Sequence, residues 1–277
     1  MLLRALGAVL SCSLLAGCAL TPFPAPEFLP REVRATLGPD RVGLLVPAYP
    51  NGRLIIAGHG HGGDVEEWLT GREQAAIRDT LLGAGYSLAT SDAGGNVWGA
   101  PVSVKAYEDL YTWAAHETRV QEVILLGQSM GGLPTLQVIG KVPATRFVGV
   151  YPVCDLATMT DKFPTFRQAW PDGAPADLAP VKPKYPPGFR AIFFASPYDT
   201  TVPKASNTDV CAAGARAAGA DATVVQVQGE HGDPTAFQPD RVLEFLSDAT
   251  QGRAGPAGPA LPQLTGFHHR PVRLARL

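Results

Sequence analysis

Residues 123–132 read Val-Ile-Leu-Leu-Gly-Gln-Ser-Met-Gly-Gly, an apolar run that leads into a glycine-flanked serine. Its apolar first half predicts a buried β-strand, and the serine that follows sits in a G-x-S-x-G spacing. That spacing is typical of a sharp strand-to-helix turn, whose crowded backbone requires glycine two residues before and after the serine. Residues 132–139 have a helical apolar pattern, with Pro134 in the first turn, where a missing N–H is tolerated. Ser129 is therefore a candidate nucleophile.

Length and composition favour one large domain. The chain has 277 residues, 45% of them hydrophobic, which is enough to build a single sizeable core. Its formal net charge is −2, so the composition shows no excess of basic residues that would favour nucleic-acid binding. We therefore expect no nucleic-acid partner.

The N-terminus has the pattern of a signal peptide over residues 1–17. Arg4 supplies the positive charge, and the apolar stretch Ala5–Ala16 is too short to span a membrane. The sequence Leu15-Ala-Gly-Cys18 resembles a bacterial lipobox, which implies a lipid on Cys18. The alternative is an ordinary secretion signal with an incidental cysteine. We expect an exported protein of the cell envelope, anchored to a membrane by its N-terminal lipid.

Export changes how the cysteines are interpreted. Cys12 belongs to the predicted signal peptide and Cys18 to the predicted lipid site, so Cys154 and Cys211 form an even pair. In an oxidising compartment such a pair favours a disulfide bond, the alternative being two buried thiols.

Strand and helix patterns alternate along most of the chain. This alternation predicts an α/β domain over residues 41–250, with a mostly parallel central sheet and helices on both faces. Asn51-Gly52 predicts a hairpin turn between the first two strands. Residues 155–188 are proline-rich and predict an irregular, lid-like insertion. Residues 18–40 are expected to be a proline-rich tether and residues 251–277 a disordered tail.

A serine nucleophile needs a base and an acid that orients the base. His231 follows the last predicted strand, at the edge of the sheet where such folds place their ligands. Asp199 follows the preceding apolar strand and is the favoured acid. Asp155, which follows the strand before that, is the alternative.

Together these residues resemble the α/β-hydrolase family, across roughly residues 42–247. The resemblance rests on the serine motif, on Gly58–Gly63, on Asp199 with Val202-Pro203, and on His231. It implies the α/β-hydrolase fold and a Ser129–His231–Asp199 triad in the chain order serine, aspartate, histidine that this family has.

The resemblance also implies an oxyanion hole formed by the backbone N–H groups of Met130 and His61. The register of the second donor stays open, because His59-Gly60 and His61-Gly62 both fit the family's His-Gly motif. We expect Trp98 and His59 to line the substrate pocket. A zinc site at His59 and His61 is a competing interpretation, but a third ligand is not evident. No metal and no cofactor are therefore expected.

The resemblance implies a serine hydrolase that acts through an acyl-enzyme, with carboxylic esters as the favoured substrates. The sequence Asp199-Thr-Thr-Val-Pro is also similar to that of prolyl-oligopeptidase-type domains, so a serine peptidase is the alternative. A second alternative is a non-catalytic surface binding protein on a hydrolase scaffold. The expected partner is a small ester or a short peptide.

Overall fold

The computed structural model describes residues 29–160 and 162–247. The predicted signal peptide, the lipid site at Cys18 and the predicted tail at residues 251–277 lie outside these ranges. None of the helices in these ranges has the length and apolar character needed to cross a membrane.

The described ranges contain eight strands that form one sheet. The strands are β1 (Arg31–Leu37), β2 (Asp40–Val46), β3 (Arg53–Gly58), β4 (Ser87–Ser91), β5 (Glu122–Gln128), β6 (Ala144–Val150), β7 (Arg190–Ala195) and β8 (Asp221–Gln226). Their spatial order is β1-β2-β4-β3-β5-β6-β7-β8. The strands from β3 to β8 pair in parallel, whereas β1 and β2 are antiparallel to their neighbours. The fold is therefore the mostly parallel α/β sheet that the sequence predicts.

Helices cover both faces of the sheet, as predicted. Those in the described ranges are α1 (Val65–Leu69), α2 (Ala75–Gly83), α3 (Pro101–Glu117), α4 (Gly132–Gln137), α5 (Pro164–Ala169), α6 (Thr208–Ala217) and α7 (Pro239–Ser247). The core on one face includes side chains of α3, α4 and α6, and the core on the other includes side chains of α2 and α7. β5 is apolar on both sides, with Val123 and Leu125 in the first core and Ile124 and Leu126 in the second.

Two predictions about the first strands are wrong. The domain begins at Arg31 and not at residue 41, because β1 lies inside the segment assigned to the tether and pairs with β2. Its side chains alternate between exposed and half-buried, so an edge strand of this kind lacks the apolar run that marks a central strand. The hairpin expected at Asn51-Gly52 is also absent from the described sheet, because β4 lies between β2 and β3.

The insertion at residues 155–188 is largely irregular but contains the short helix α5. It is attached to the domain at its beginning, where Cys154 forms the predicted disulfide with Cys211 of α6. The side-chain oxygen of buried Asn207 accepts hydrogen bonds from the N–H groups of both Cys154 and Asp155, each at 3.0 Å. The insertion therefore starts from a fixed point beside α6.

Candidate active site

Ser129 follows β5 directly and has a backbone φ of +49°, a left-handed conformation that non-glycine residues rarely adopt. The flanking glycines make this turn possible. A Cβ on Gly127 would lie 2.7 Å from the Gly132 Cα, and a Cβ on Gly131 would lie 2.5 Å from the carbonyl carbon of Gly58. Neither contact leaves room for a side chain, so the G-x-S-x-G spacing has a direct steric cause.

The Ser129 hydroxyl contacts the side chain of His231. Its Oγ lies 2.9 Å from His231 Nε2, and His231 Nδ1 lies 2.7 Å from Asp199 Oδ2. Asp199 is only 5% exposed, and its second oxygen accepts the Val202 N–H at 2.8 Å. The carboxylate is thereby held in place and can orient the imidazole, while the imidazole can accept a proton from the hydroxyl.

The alternative acid, Asp155, is used differently. One oxygen of its carboxylate accepts the Ala157 N–H at 3.0 Å and caps the short 3₁₀ turn Leu156–Met159. Of the two carboxylates proposed from the sequence, Asp199 is the one that contacts His231.

Sequence reasoning missed Tyr151, which packs beside His231 with 4.5 Å between ring centroids. Its hydroxyl accepts a hydrogen bond from Gln128 Nε2 at 3.1 Å, and Gln128 Oε1 accepts one from Gln74 at 3.0 Å. Burial raises the pKa of Tyr151, and the nearby carboxylates of Glu73 and Glu67 raise it further, so the phenol stays neutral. The available signal was its position directly after β6, at the carboxyl edge of the sheet.

The loop that follows β3 faces Ser129. Its Gly60 N–H donates to Glu67 Oε1 at 2.8 Å, and its Gly62 N–H donates to Asn96 Oδ1 at 2.7 Å. In the described ranges, the His61 N–H between them has no intramolecular acceptor. A Cβ placed on Gly60 would lie 3.6 Å from the Ser129 Cβ, so this loop comes close to the serine.

The His61 side chain is held by the insertion. Its Nε2 lies 2.9 Å from the Thr165 hydroxyl, and its ring centroid is 4.7 Å from that of Phe163. Partial burial lowers the pKa of His61, with a smaller contribution from neighbouring His59.

The prediction that Trp98 and His59 line the pocket is wrong, because each residue is only 1% exposed. The Trp98 indole N–H donates to Thr165 Oγ1 at 2.9 Å. The His59 ring nitrogens face two backbone carbonyls, those of Gly60 at 2.8 Å and Asp92 at 2.9 Å. Both rings therefore support the wall of the pocket from behind, and sequence position alone does not tell which residues of a loop face outward.

Ser129 and His231 open on a cleft of about 490 Å³. Three charged side chains contribute to its lining, those of Glu67, Arg72 and Glu73. Its lining consists of Gly60, His61, Glu67, Gly71, Arg72, Glu73, Gln74, Gln128, Ser129, Tyr151, Phe163, Thr201, His231 and Gly232. Within the described ranges, no three His, Cys, Asp or Glu side chains are grouped to hold a metal ion.

Solved structures share this fold, although no protein-family model and no curated protein matches the sequence. The carboxylesterase Cest-2923 from Lactobacillus plantarum is 18% identical, with a TM-score of 0.59, over 78% of this chain and 96% of that one. The α/β-hydrolase MGS-M1 from a Medee basin deep-sea metagenome is 15% identical, with a TM-score of 0.55, over 79% of this chain and 94% of that one.

A larger enzyme is similar over part of its length. The Pyrococcus horikoshii acylaminoacyl peptidase is 13% identical, with a TM-score of 0.59, over 78% of this chain but only 41% of that one. At such identities the similarity shows the fold alone. The chain has the α/β-hydrolase fold.

Proposed function

We propose that this protein is a serine hydrolase that cleaves carboxylic esters through an acyl-enzyme. Ser129 is the nucleophile, His231 the general base and Asp199 the residue that orients the base. The proposal is carried by one observation, the continuous line of hydrogen bonds from Ser129 Oγ through His231 to Asp199 at the mouth of a cleft. The fold shared with carboxylesterases supports it.

The chemistry follows from this arrangement. His231 Nε2 takes the hydroxyl proton as Ser129 Oγ attacks the ester carbonyl, and the imidazolium is stabilised by the Asp199 carboxylate. The tetrahedral intermediate collapses when His231 returns that proton to the departing alkoxide, which leaves an acyl-serine and a free alcohol. Water then repeats the two steps, with His231 again as base and acid, to release the carboxylic acid and restore Ser129.

The negative charge of each tetrahedral intermediate needs hydrogen-bond donors. We assign this role to the backbone N–H groups of Met130 and His61. The assignment of His61 is supported by its neighbours, because the amides of Gly60 and Gly62 already donate to Glu67 and Asn96. These contacts leave the His61 N–H as the donor between two engaged amides, which supports the His61-Gly62 register.

A serine peptidase is the second candidate. It is favoured by the similarity to the acylaminoacyl peptidase, which is confined to part of that larger enzyme. The cleft is small and open, which suits short substrates of either type.

We further propose that the protein is exported and anchored through a lipid on Cys18. The lipobox-like sequence supports the anchor, and the Cys154–Cys211 disulfide suits an oxidising compartment. In cells fed a labelled fatty acid, the wild type should carry the label in the membrane fraction, and Cys18→Ala should not. Label retained by Cys18→Ala would contradict the anchor.

Activity-based labelling tests the enzymatic proposal. A fluorophosphonate should label the folded wild type, and mass spectrometry should find the adduct on Ser129. A folded protein that resists the probe would fit the non-catalytic alternative. A panel of short p-nitrophenyl esters and a peptide-library digest then separate the two enzymatic candidates, because only a peptidase should cleave the library.

A further inference from the structure

In the loop at residues 58–63, the His61 amide lies between two amides that are already hydrogen-bonded. The N–H groups of Gly60 and Gly62 each donate to a side-chain oxygen, at 2.8 Å and 2.7 Å, whereas the His61 N–H between them is assigned to the oxyanion. The loop is further closed by a hydrogen bond of 3.1 Å from the Gly63 N–H to the Gly60 carbonyl.

The two acceptors come from different parts of the chain. Glu67 belongs to α1, which is capped by Asp64 and anchored by fully buried Trp68. The Trp68 indole N–H donates to the Gly58 carbonyl at 3.2 Å, so α1 is fastened to the beginning of the same loop. Asn96 belongs to the connection between β4 and α3.

Glu67 is placed where its charge by itself would oppose the reaction. Its carboxylate and the Ser129 Cβ are both within 4 Å of a Cβ position built on Gly60. Burial raises the pKa of Glu67, although the Gly60 N–H and His59 oppose this shift. A negative charge this close to a developing oxyanion is unfavourable. The presence of Glu67 is therefore better explained by the oxygen that accepts the Gly60 N–H than by the charge of its carboxylate.

We propose that Glu67 and Asn96 are positioning residues for the oxyanion hole. By accepting hydrogen bonds from the Gly60 and Gly62 N–H groups, they fix the peptide planes on either side of the His61 amide. The His61 N–H is thereby directed at the oxygen of the reacting carbonyl. This inference rests on the proposed serine hydrolase function. It adds to that function two residues that act through the backbone and do not themselves take part in proton transfer.

Matched variants separate the acceptor oxygen from the charge. Glu67→Gln keeps an oxygen that can accept the Gly60 N–H, whereas Glu67→Met has similar length and no such acceptor. Asn96→Asp and Asn96→Leu form the corresponding pair for Gly62. With a short p-nitrophenyl ester, we expect kcat to fall roughly 10-fold to 100-fold in the Met and Leu variants, with KM nearly unchanged. The Gln and Asp variants should recover most of this loss.

Three results would overturn the inference in folded protein, with folding checked by thermal unfolding. One is wild-type kcat in Glu67→Met and Asn96→Leu. Another is a loss in Glu67→Gln as large as in Glu67→Met, which would make the charge important. The third is a change in KM alone, which would assign these residues to substrate binding.

A second measurement does not require turnover. Amide hydrogen exchange followed by NMR should show protection of the Gly60 N–H in the wild type and in Glu67→Gln, and its loss in Glu67→Met. The Gly62 N–H should respond in the same way to the Asn96 pair. If the wild type hydrolyses no ester but these amides behave as expected, the proposed function fails while the loop contacts stand. Unchanged protection in the Met and Leu variants would overturn the positioning role.

Discussion

The turn at Ser129 is held by glycine packing against backbone, whereas the loop at residues 58–63 opposite it is held by side chains from elsewhere. At the turn, a Cβ on Gly131 would meet the Gly58 carbonyl carbon at 2.5 Å. At the loop, Glu67, Asn96 and Thr165 come from α1, the β4–α3 connection and the insertion. The glycines of the turn therefore tolerate almost no substitution, whereas the contacts that hold the loop can be removed one at a time.

The largest effect is expected from removing the nucleophile itself. Ser129→Ala should lower kcat by roughly 10⁴–10⁶, because the attacking oxygen is lost while the fold is kept. Ester turnover and fluorophosphonate labelling measure this loss, with Ser247→Ala, an exposed serine at the end of α7, as the control. Full activity in Ser129→Ala would place the chemistry elsewhere.

Substitutions of the two candidate acids should have very different effects on kcat. Asp199→Asn should lower kcat by about 10⁴, since the amide cannot hold His231 in the tautomer that accepts the serine proton. Asp155→Asn should stay close to the wild type, because its Oδ1 caps a 3₁₀ turn and an asparagine oxygen can do the same. Parallel kinetics on the two variants make the comparison, and equal losses would contradict the assignment.

An added methyl group should destabilise the protein at the turn beside Ser129 but not in helix α6. Gly131→Ala places a Cβ against the Gly58 backbone, and we expect a loss of about 1–3 kcal/mol in unfolding free energy. Gly214→Ala, in α6, meets open space and should stabilise the protein by about 0.5–1 kcal/mol. Denaturant unfolding of both variants checks this. A Gly131→Ala protein as stable as the wild type would mean that the turn can shift.

The smallest effect concerns the charge beside the loop. Because the pKa of Glu67 is raised above its ordinary value near 4.5, the folded protein binds the proton more tightly than the unfolded chain does. Its contribution to stability is therefore present at low pH and is lost as the pH rises through the raised pKa. Glu67→Gln does not titrate, so its stability relative to the wild type should increase as the pH rises from about 4.5 through the raised pKa of Glu67. Thermal unfolding across this range measures the change, and a constant difference would contradict it.

Much of the fold could be predicted, because central strands of a parallel sheet are continuous apolar runs and the helices between them have their own period. β1 could not, because an edge strand with alternating charged residues resembles a linker. The burial of the side chains behind the pocket wall could not be predicted from the sequence either. Trp98 and His59 lie in loops, and their side chains are held by partners distant in sequence, the Thr165 hydroxyl and the Asp92 carbonyl.

The sequence by itself determined the candidate nucleophile, the candidate base and two candidate acids, because a glycine-flanked serine and polar residues at strand ends are local patterns. It favoured Asp199 but left Asp155 open, because the two residues follow the adjacent strands β6 and β7. Only the tertiary structure brought Asp199 into contact with His231. It also left the His61 amide between two neighbouring amides that are already hydrogen-bonded. Both outcomes depend on distances between loops far apart in the chain, and no local pattern encodes such distances.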